Sequence, residues 1–158
     1  MNIVCNVIKI ERENMSLLEK IKAIYQQDRF ATKVTGVELV AVGKNYAKTK
    51  LVITPEHRNV VGQVMGGAIF TVADFAFAVA SNIGAPETIS VDSHIVFLNG
   101  AKGDTLYAEA ECVKAGRRSC TFLIHVTDNL NTKVAQMTMI GMRVSDHYII
   151  DPAECDFD

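Results

Sequence analysis

No surplus of basic residues marks this sequence: lysine and arginine total 16 against 18 aspartates and glutamates, a formal charge of −2. Nucleic-acid binders usually carry such a surplus, so DNA and RNA are not expected partners. Metal-finger chemistry is missing too. The four cysteines, Cys5, Cys112, Cys120 and Cys155, form no C-x-x-C pair, and no histidine stands at finger spacing from them. They read as free thiols in a reducing compartment, with Cys112 and Cys120 serving as small apolar residues in strands. The N-terminal MNIVCNVIKIERE has neither a basic start nor a small-residue cleavage site, which predicts a cytoplasmic protein. The most apolar stretch, Val64 to Ala80, is shorter than the roughly 20 residues a bilayer needs. It also carries Asp74 at its middle, a costly group in lipid. No membrane association is expected, and no internal repeat or low-complexity linker occurs.

What is present is ordinary globular composition, 49% hydrophobic and 22% charged over 158 residues. That length fits one domain, residues 1–158, able to bury a core without disulfide staples. Ser16 to about Arg29 predicts an amphipathic helix, with Ser16 and Glu19 as a capping box and Leu17, Ile21, Ile24 and Tyr25 as its apolar stripe. Thr35–Val42 and Tyr46–Thr54 predict two strands of a hairpin turned by Gly43, Lys44 and Asn45. Gly66-Gly67 opens a long apolar helix ending near Asn82, with Gly84 and Pro86 as stop signals. Four strands follow: Ile89–Leu98, Thr105–Lys114, Ser119–Thr127 and Lys133–Val144. The core spans about residues 35–144. A short acidic tail with Asp151, Glu154, Asp156 and Asp158 ends the chain. The middle helix is apolar all round and so is expected to be buried all round. An antiparallel sheet curled around it is the economical architecture, an α+β fold.

Three features of His57–Asn82 point to chemistry. Asp74 lies within the apolar helix, where an unpartnered carboxylate is expensive and needs either a firm partner or a task. Gly66 and Gly67 stand at the helix start, where free N–H groups and the helix dipole favour an anionic oxygen. Without side chains there, a ligand oxygen can come close, as an oxyanion hole for acyl chemistry requires. His57 and Asn59 sit just upstream; a loop asparagine is more often a turn residue than a ligand. Eight residues separate Gly66 from Asp74, about 12 Å along one helix. One chain therefore cannot bring both to one carbonyl. If both act on it, Asp74 must come from a second copy, which predicts a two-fold homodimer.

The segment resembles the signature of the hotdog-fold acyl-CoA thioesterases, in particular the PaaI-like (phenylacetic acid degradation-type) branch. His57, Asn59, Gly62, Gly66, Gly67 and Asp74 stand at that family's spacing, and TISVDSHIVFL, with Ser90, is similar to its next strand. The likeness covers about Thr35 to Val144. It implies a hotdog fold, a curved antiparallel sheet wrapped around a long central helix, assembled as a dimer or a dimer of dimers. It implies hydrolysis of an acyl-CoA thioester with no metal and no cofactor beyond the substrate's own CoA. By position, Asp74 would be general base or nucleophile and Gly66 the oxyanion donor. Asn59 would position water or thioester, and Ser90 would help hold the water.

One departure stands out: Met65 occupies the place where the family commonly has histidine before the two glycines, and methionine is no strong donor. His57, Met65 and Gly67 are candidate substrate contacts. Lys114, Arg117 and Arg118, clustered at a strand turn, are candidates for the CoA phosphates. Two other readings stand beside hydrolysis. One is an acyl-CoA-binding hotdog protein that no longer hydrolyses; the other is a scaffolding domain without a small ligand.

Overall fold

The computed structural model describes residues 15–155 and 157. Cys5, Asp156 and Asp158 lie outside them. Helix α1 covers Leu17–Tyr25, and Ser16 and Glu19 close the expected capping box at its start. The helix stops short of Arg29. A π-helical turn, Phe30–Val34, follows, and Gly36 at φ +80° leads into the first strand. Strands β1 (Val37–Gly43) and β2 (Tyr46–Val52) form the hairpin, turned with Asn45 at φ +56°. Helix α2 covers Gly66–Asn82, the bounds expected from its glycines and from Gly84, which adopts φ +60°. Strands β3 (Pro86–Phe97), β4 (Thr105–Ala115), β5 (Ser119–Asp128) and β6 (Lys133–Tyr148) complete the sheet. Pro86 begins β3 rather than a loop, a position where its missing N–H costs no ladder bond. Strand β6 runs four residues beyond the expected Val144.

All pairings are antiparallel, in the order β1-β2-β4-β5-β6-β3. Helix α2 touches all six strands, so the sheet does curl around it. The inner face follows the alternation seen in the sequence: Cys120, Phe122, Ile124 and Val126 of β5 are buried, and Ser119 and His125 are exposed. Alanines Ala47, Ala108 and Ala110 let the helix approach β2 and β4 closely. Thr49 then reaches the helix backbone, donating its hydroxyl to the Val72 carbonyl at 2.8 Å. Gly141 of β6 is needed for a similar reason. A Cβ there would stand 2.6 Å from Thr88 Cγ2 and 2.9 Å from Phe77 Cζ.

Burial of the helix all round is not what the structure shows. Gly67 is exposed, and Phe70, Thr71, Asp74 and Ala78 are only half-buried. These residues fall at helical spacing along one side, so a single chain leaves a stripe of α2 uncovered. The neighbouring edge of the sheet is also open. Strand β3 is the last in the order, and Ile89, Val91, Val96 and Phe97 on it are exposed. A long apolar edge is an unusual thing to leave to solvent.

Among the described residues no helix is long and apolar enough to cross a membrane, and no cluster of His, Cys, Asp or Glu could hold a metal ion.

Candidate active site

The start of α2 is built to leave its donors free. Met65 occupies the cap position in extended conformation and offers no side-chain acceptor. Its own N–H goes to the His57 carbonyl at 2.8 Å, and its carbonyl takes the N–H groups of Ala68 and Ile69. The N–H groups of Gly66 and Gly67 find no acceptor among the described residues. They point out of the positive end of a 17-residue helix. An open cavity of about 550 Å³ adjoins Gly66, walled by Val64, Ile69, Phe97 and Leu98. Phe97 is nearest; a Cβ on Gly66 would lie 3.0 Å from its Cζ. Sequence reasoning missed Phe97, because only the β3–β6 register brings it to the helix start.

The loop before the helix is held by the residues singled out in it. His57 accepts the Thr54 N–H at Nδ1, 3.0 Å away, and its Nε2 stands 2.9 Å from the Thr35 carbonyl, to which it donates. Both ring nitrogens are thus occupied, and none is left for substrate. His57 ties the loop to the segment before β1. Asn59 accepts the N–H groups of Val61 and Gln63 through its side-chain oxygen. That is turn chemistry, yet its amide NH₂ makes no bond within the described residues and the side chain is exposed.

Asp74 is half-buried on the uncovered stripe and has no hydrogen-bond partner among the described residues. Burial, and secondarily the nearby Asp28 charge, push its carboxyl above the ordinary carboxylate value. The C-terminal end of α1 is fastened beside it. The Tyr25 hydroxyl donates to the Ala78 carbonyl at 2.9 Å, and the Tyr25 ring meets Phe75 edge-on at 5.9 Å. Asp28 follows three residues later. Nothing in the sequence pattern linked it to Asp74.

Ser90 pairs with Gly141 across β3–β6. Cross-strand partners share a face, and the space over Gly141 belongs to Phe77, so Ser90 is on the helix side of the sheet. A bulge at Val91 then reverses the alternation, and His94, opposite Thr138, faces away from the helix.

The basic group divides. Arg117 and Arg118 border an open polar cavity of about 440 Å³, joined there by Arg143 of β6; Lys114 is not part of it. Lys114 stands opposite Thr121, beyond a bulge in β4. The structure thus gathers Gly66, Gly67, Met65 and Asn59 at one end of α2 and the arginines at the other. Asp74 lies between, a helix length of about 12 Å from Gly66.

Comparison with known proteins agrees with this geometry. The thioesterase superfamily profile matches residues 61–135. A Deinococcus radiodurans protein provisionally described as an esterase is 31% identical over 103 residues, covering 65% of this chain and 70% of the relative. The acyl-coenzyme A thioesterase PaaI of Escherichia coli is 29% identical over 114 residues, 72% of this chain and 81% of the relative. The solved structure of E. coli PaaI superposes with a TM-score of 0.74 at 24% identity, covering 83% of this chain and 98% of that one. A Streptococcus mutans protein, solved bound to acetyl-CoA, superposes with a TM-score of 0.67 at 26% identity, over 70% of this chain and 90% of that one. A helix that begins on two bare glycines, wrapped by this sheet and matched by these relatives, makes the chain a member of the thioesterase superfamily, a PaaI-like thioesterase with the hotdog fold.

Proposed function

We propose that the protein hydrolyses acyl-CoA thioesters at two equivalent sites formed between two copies of the chain. The observation that carries this reading is the pairing of unmet needs along α2: among the described residues, two N–H groups without acceptors at Gly66 and Gly67, and a carboxylate without donors at Asp74. They are too far apart to serve one carbonyl within a chain. Two copies joined antiparallel along β3 would run their helices in opposite directions and bring each Asp74 toward Gly66 of the partner subunit. The open apolar edge of β3 and the uncovered stripe of α2 support that arrangement. A dimer of dimers would keep the same sites.

In this arrangement the thioester oxygen accepts from the Gly66 N–H, which strengthens its hold as negative charge develops. Asp74 of the opposing chain takes a proton from water, and the hydroxide adds to the carbonyl carbon. The tetrahedral oxyanion collapses, the carbon–sulfur bond breaks, and the leaving thiolate takes up the proton. Acid and CoA result. A carboxyl raised above its ordinary value is better matched to this base role near neutrality. The free amide of Asn59 and the hydroxyl of Ser90 are suited to hold the thioester and the water. Exposed Met65 contributes an apolar contact and no donor.

The test is thiol release from short, long and aromatic acyl-CoA esters, with the wild type beside Asp74→Asn. We expect turnover to fall at least about 100-fold in the variant. An unchanged rate in a folded Asp74→Asn protein would remove Asp74 from the mechanism. Saturable binding of CoA esters with no hydrolysis anywhere in the panel would instead make this a binding protein, with Met65 the first suspect. A stable, active monomer on sizing would overturn the shared site.

A further inference from the structure

We propose that the cavity between α1 and β1 is a second ligand site, separate from the thioester site, and that it binds organic acids carrying one carboxylate on an apolar body of medium size. Such binding needs no hydrolysis at α2.

The cavity measures about 480 Å³, and its floor is apolar: Val37 and Leu39 of β1, Phe75 of α2 and the ring of Tyr25. Tyr25 brings no uncommitted polar group there, because its hydroxyl is spent on the Ala78 carbonyl at 2.9 Å. The same bond, with the edge-on contact of the Tyr25 and Phe75 rings, fastens α1 over α2 and fixes the width of the cavity. Walls already held in place lose little freedom when a ligand enters. An apolar floor in an open cavity favours an apolar ligand body, in proportion to the area it covers. At roughly 30 Å³ per non-hydrogen atom, the share of a water in the liquid, the space takes up to about 16 such atoms. A medium alkyl chain or a single substituted ring fits.

The rim selects the charge of the head group. Glu38 borders the cavity but is matched by Lys50 at 3.2 Å, and the Thr32 hydroxyl is spent on the Asp28 carbonyl at 2.8 Å. Lys22 of α1 and Lys33 of the π-helical turn also border it, and neither forms an ion pair with a described residue. Both are exposed, so their stems can lie along the walls with the ammonium groups in water at the mouth. An exposed lysine by itself holds a carboxylate weakly. Here the floor supplies the larger share of the binding, and the two lysines reject a neutral or cationic head.

The backbone points to the same place. The wall that carries Thr32 and Lys33 is the turn Phe30–Val34, closed by the Thr35 N–H on the Phe30 carbonyl at 2.9 Å. Such π-helical turns are rare and occur most often at functional sites. This one touches both β1 and α2, and the residues placed at the thioester, Gly66, Asn59 and Asp74, do not border the cavity beside it. Phe75 stands about 100° round the helix from Asp74, so the cavity and the uncovered stripe lie on different sides of α2. The acid released by thioester hydrolysis belongs to the class the cavity suits. On the acyl-CoA reading above, on which this link rests, the site would hold product beside the helix that made it.

The experiment is calorimetry on the full chain with octanoate, acetate and octanol, in the wild type and in Lys22→Gln/Lys33→Gln. Octanoate should bind with a Kd below about 1 mM, and acetate and octanol, each keeping half of the ligand, at least about tenfold more weakly. Octanoate binding should weaken as salt rises. The double variant, changed at exposed positions alone, should melt like the wild type and bind octanoate about tenfold more weakly. No octanoate binding, acetate or octanol binding as tightly, or a double variant equal to the wild type would overturn the proposal. The titration is then repeated on Asp74→Asn protein with and without saturating octanoyl-CoA. Equal octanoate affinity in the two supports a separate site. Octanoate binding abolished by the ester would put the acid in the thioester site and overturn the proposal. If octanoyl-CoA does not bind at all, the acyl-CoA reading fails instead, and the earlier comparisons still decide the acid site.

Discussion

The two ends of helix α2 are finished in opposite ways. At the C-terminal end side chains close on the helix. The Ala78 carbonyl takes the Tyr25 hydroxyl and the Asn82 amide, and the Ser81 carbonyl takes Arg143. The Asn82 side chain bridges to both the N–H and the carbonyl of Thr88. At the N-terminal end the cap is a methionine, and among the described residues two N–H groups meet no acceptor and the carboxylate two turns on meets no donor. One end belongs to the fold and the other is left for a ligand. The contrast separates residues that hold the helix from residues that use it.

The sharpest way to break this contrast is to delete a single donor. Proline is at home in the first position of a helix, and Met65 before it is already extended at φ −63°, ψ 135°. Gly66→Pro should therefore keep the helix while removing one N–H, and kcat for thiol release should fall about 100-fold. Gly66→Ala keeps the N–H but places a Cβ near Phe97, and should lose much less. Equal losses would assign the effect to crowding and take the oxyanion role from Gly66.

At the other end the expected effect falls on stability. Asn82→Ala leaves the buried Thr88 N–H and carbonyl without partners and should cost roughly 2–3 kcal/mol. Thermal melting should show a midpoint lower by about 6–9 °C, with the rate per folded molecule near wild type. A large loss of kcat in a folded Asn82→Ala protein would erase the division between the two ends.

Protonation sharpens it further. The Asp74 carboxyl is raised by burial and then by Asp28, so kcat/KM should fall on the acid side with a midpoint above the ordinary 3.8. The folded state disfavours the ionised form. Relief from that cost is full below the unfolded value and is lost as pH rises through the folded one. Asp74→Asn should thus be at least as stable as wild type at neutral pH, and the advantage should vanish in acid. Asp128, outside the site, should do the reverse. Burial raises its carboxyl, but the N–H groups of Gly103, Thr132 and Lys102 outweigh it and hold the group well below the usual range. Its contribution is present above the unfolded value and lost as pH falls, so Asp128→Asn should destabilise at neutral pH. Urea midpoints for both variants across pH test the two signs.

The smallest effect concerns Met65. Replacing it by histidine returns a donor to the helix start and should change kcat or acyl preference roughly two- to tenfold. No change on any ester would mean that position 65 does not reach substrate.

Much of this was legible in the sequence because it is local. Gly66 and Asn82 bound α2 as expected, since a glycine pair and Gly84 act on the backbone beside them. Alternation in β5 gave its inner face. The capping box at Ser16 formed as written. The misses at the site depend on residues far apart in sequence. The expected burial of α2 on every side ignored which edge of the sheet would stay open. His57 looked available for substrate, but a carbonyl at Thr35 occupies one of its nitrogens. Lys114 was grouped with Arg117 and Arg118 by proximity along the chain, while Arg143, 25 residues past Arg118, is the residue that register delivers. Asp74 and Gly66 stood out because their chemistry conflicts with their surroundings, and such conflict is readable without coordinates.

The bulge at Val91 sets the parity of β3. Ahead of it the even-numbered Thr88 and Ser90 look toward the helix; after it the odd-numbered Ser93, Ile95 and Phe97 do. A further residue inserted after the bulge would reverse the phase again and turn the rest of the strand inside out, withdrawing Phe97 from the helix start without altering one other residue. Loss of the Val91 codon would instead leave a regular strand with Ser93, Ile95 and Phe97 still on the helix side. This strand can therefore lose its one extra residue and keep its faces, while a lone insertion rewrites a whole face.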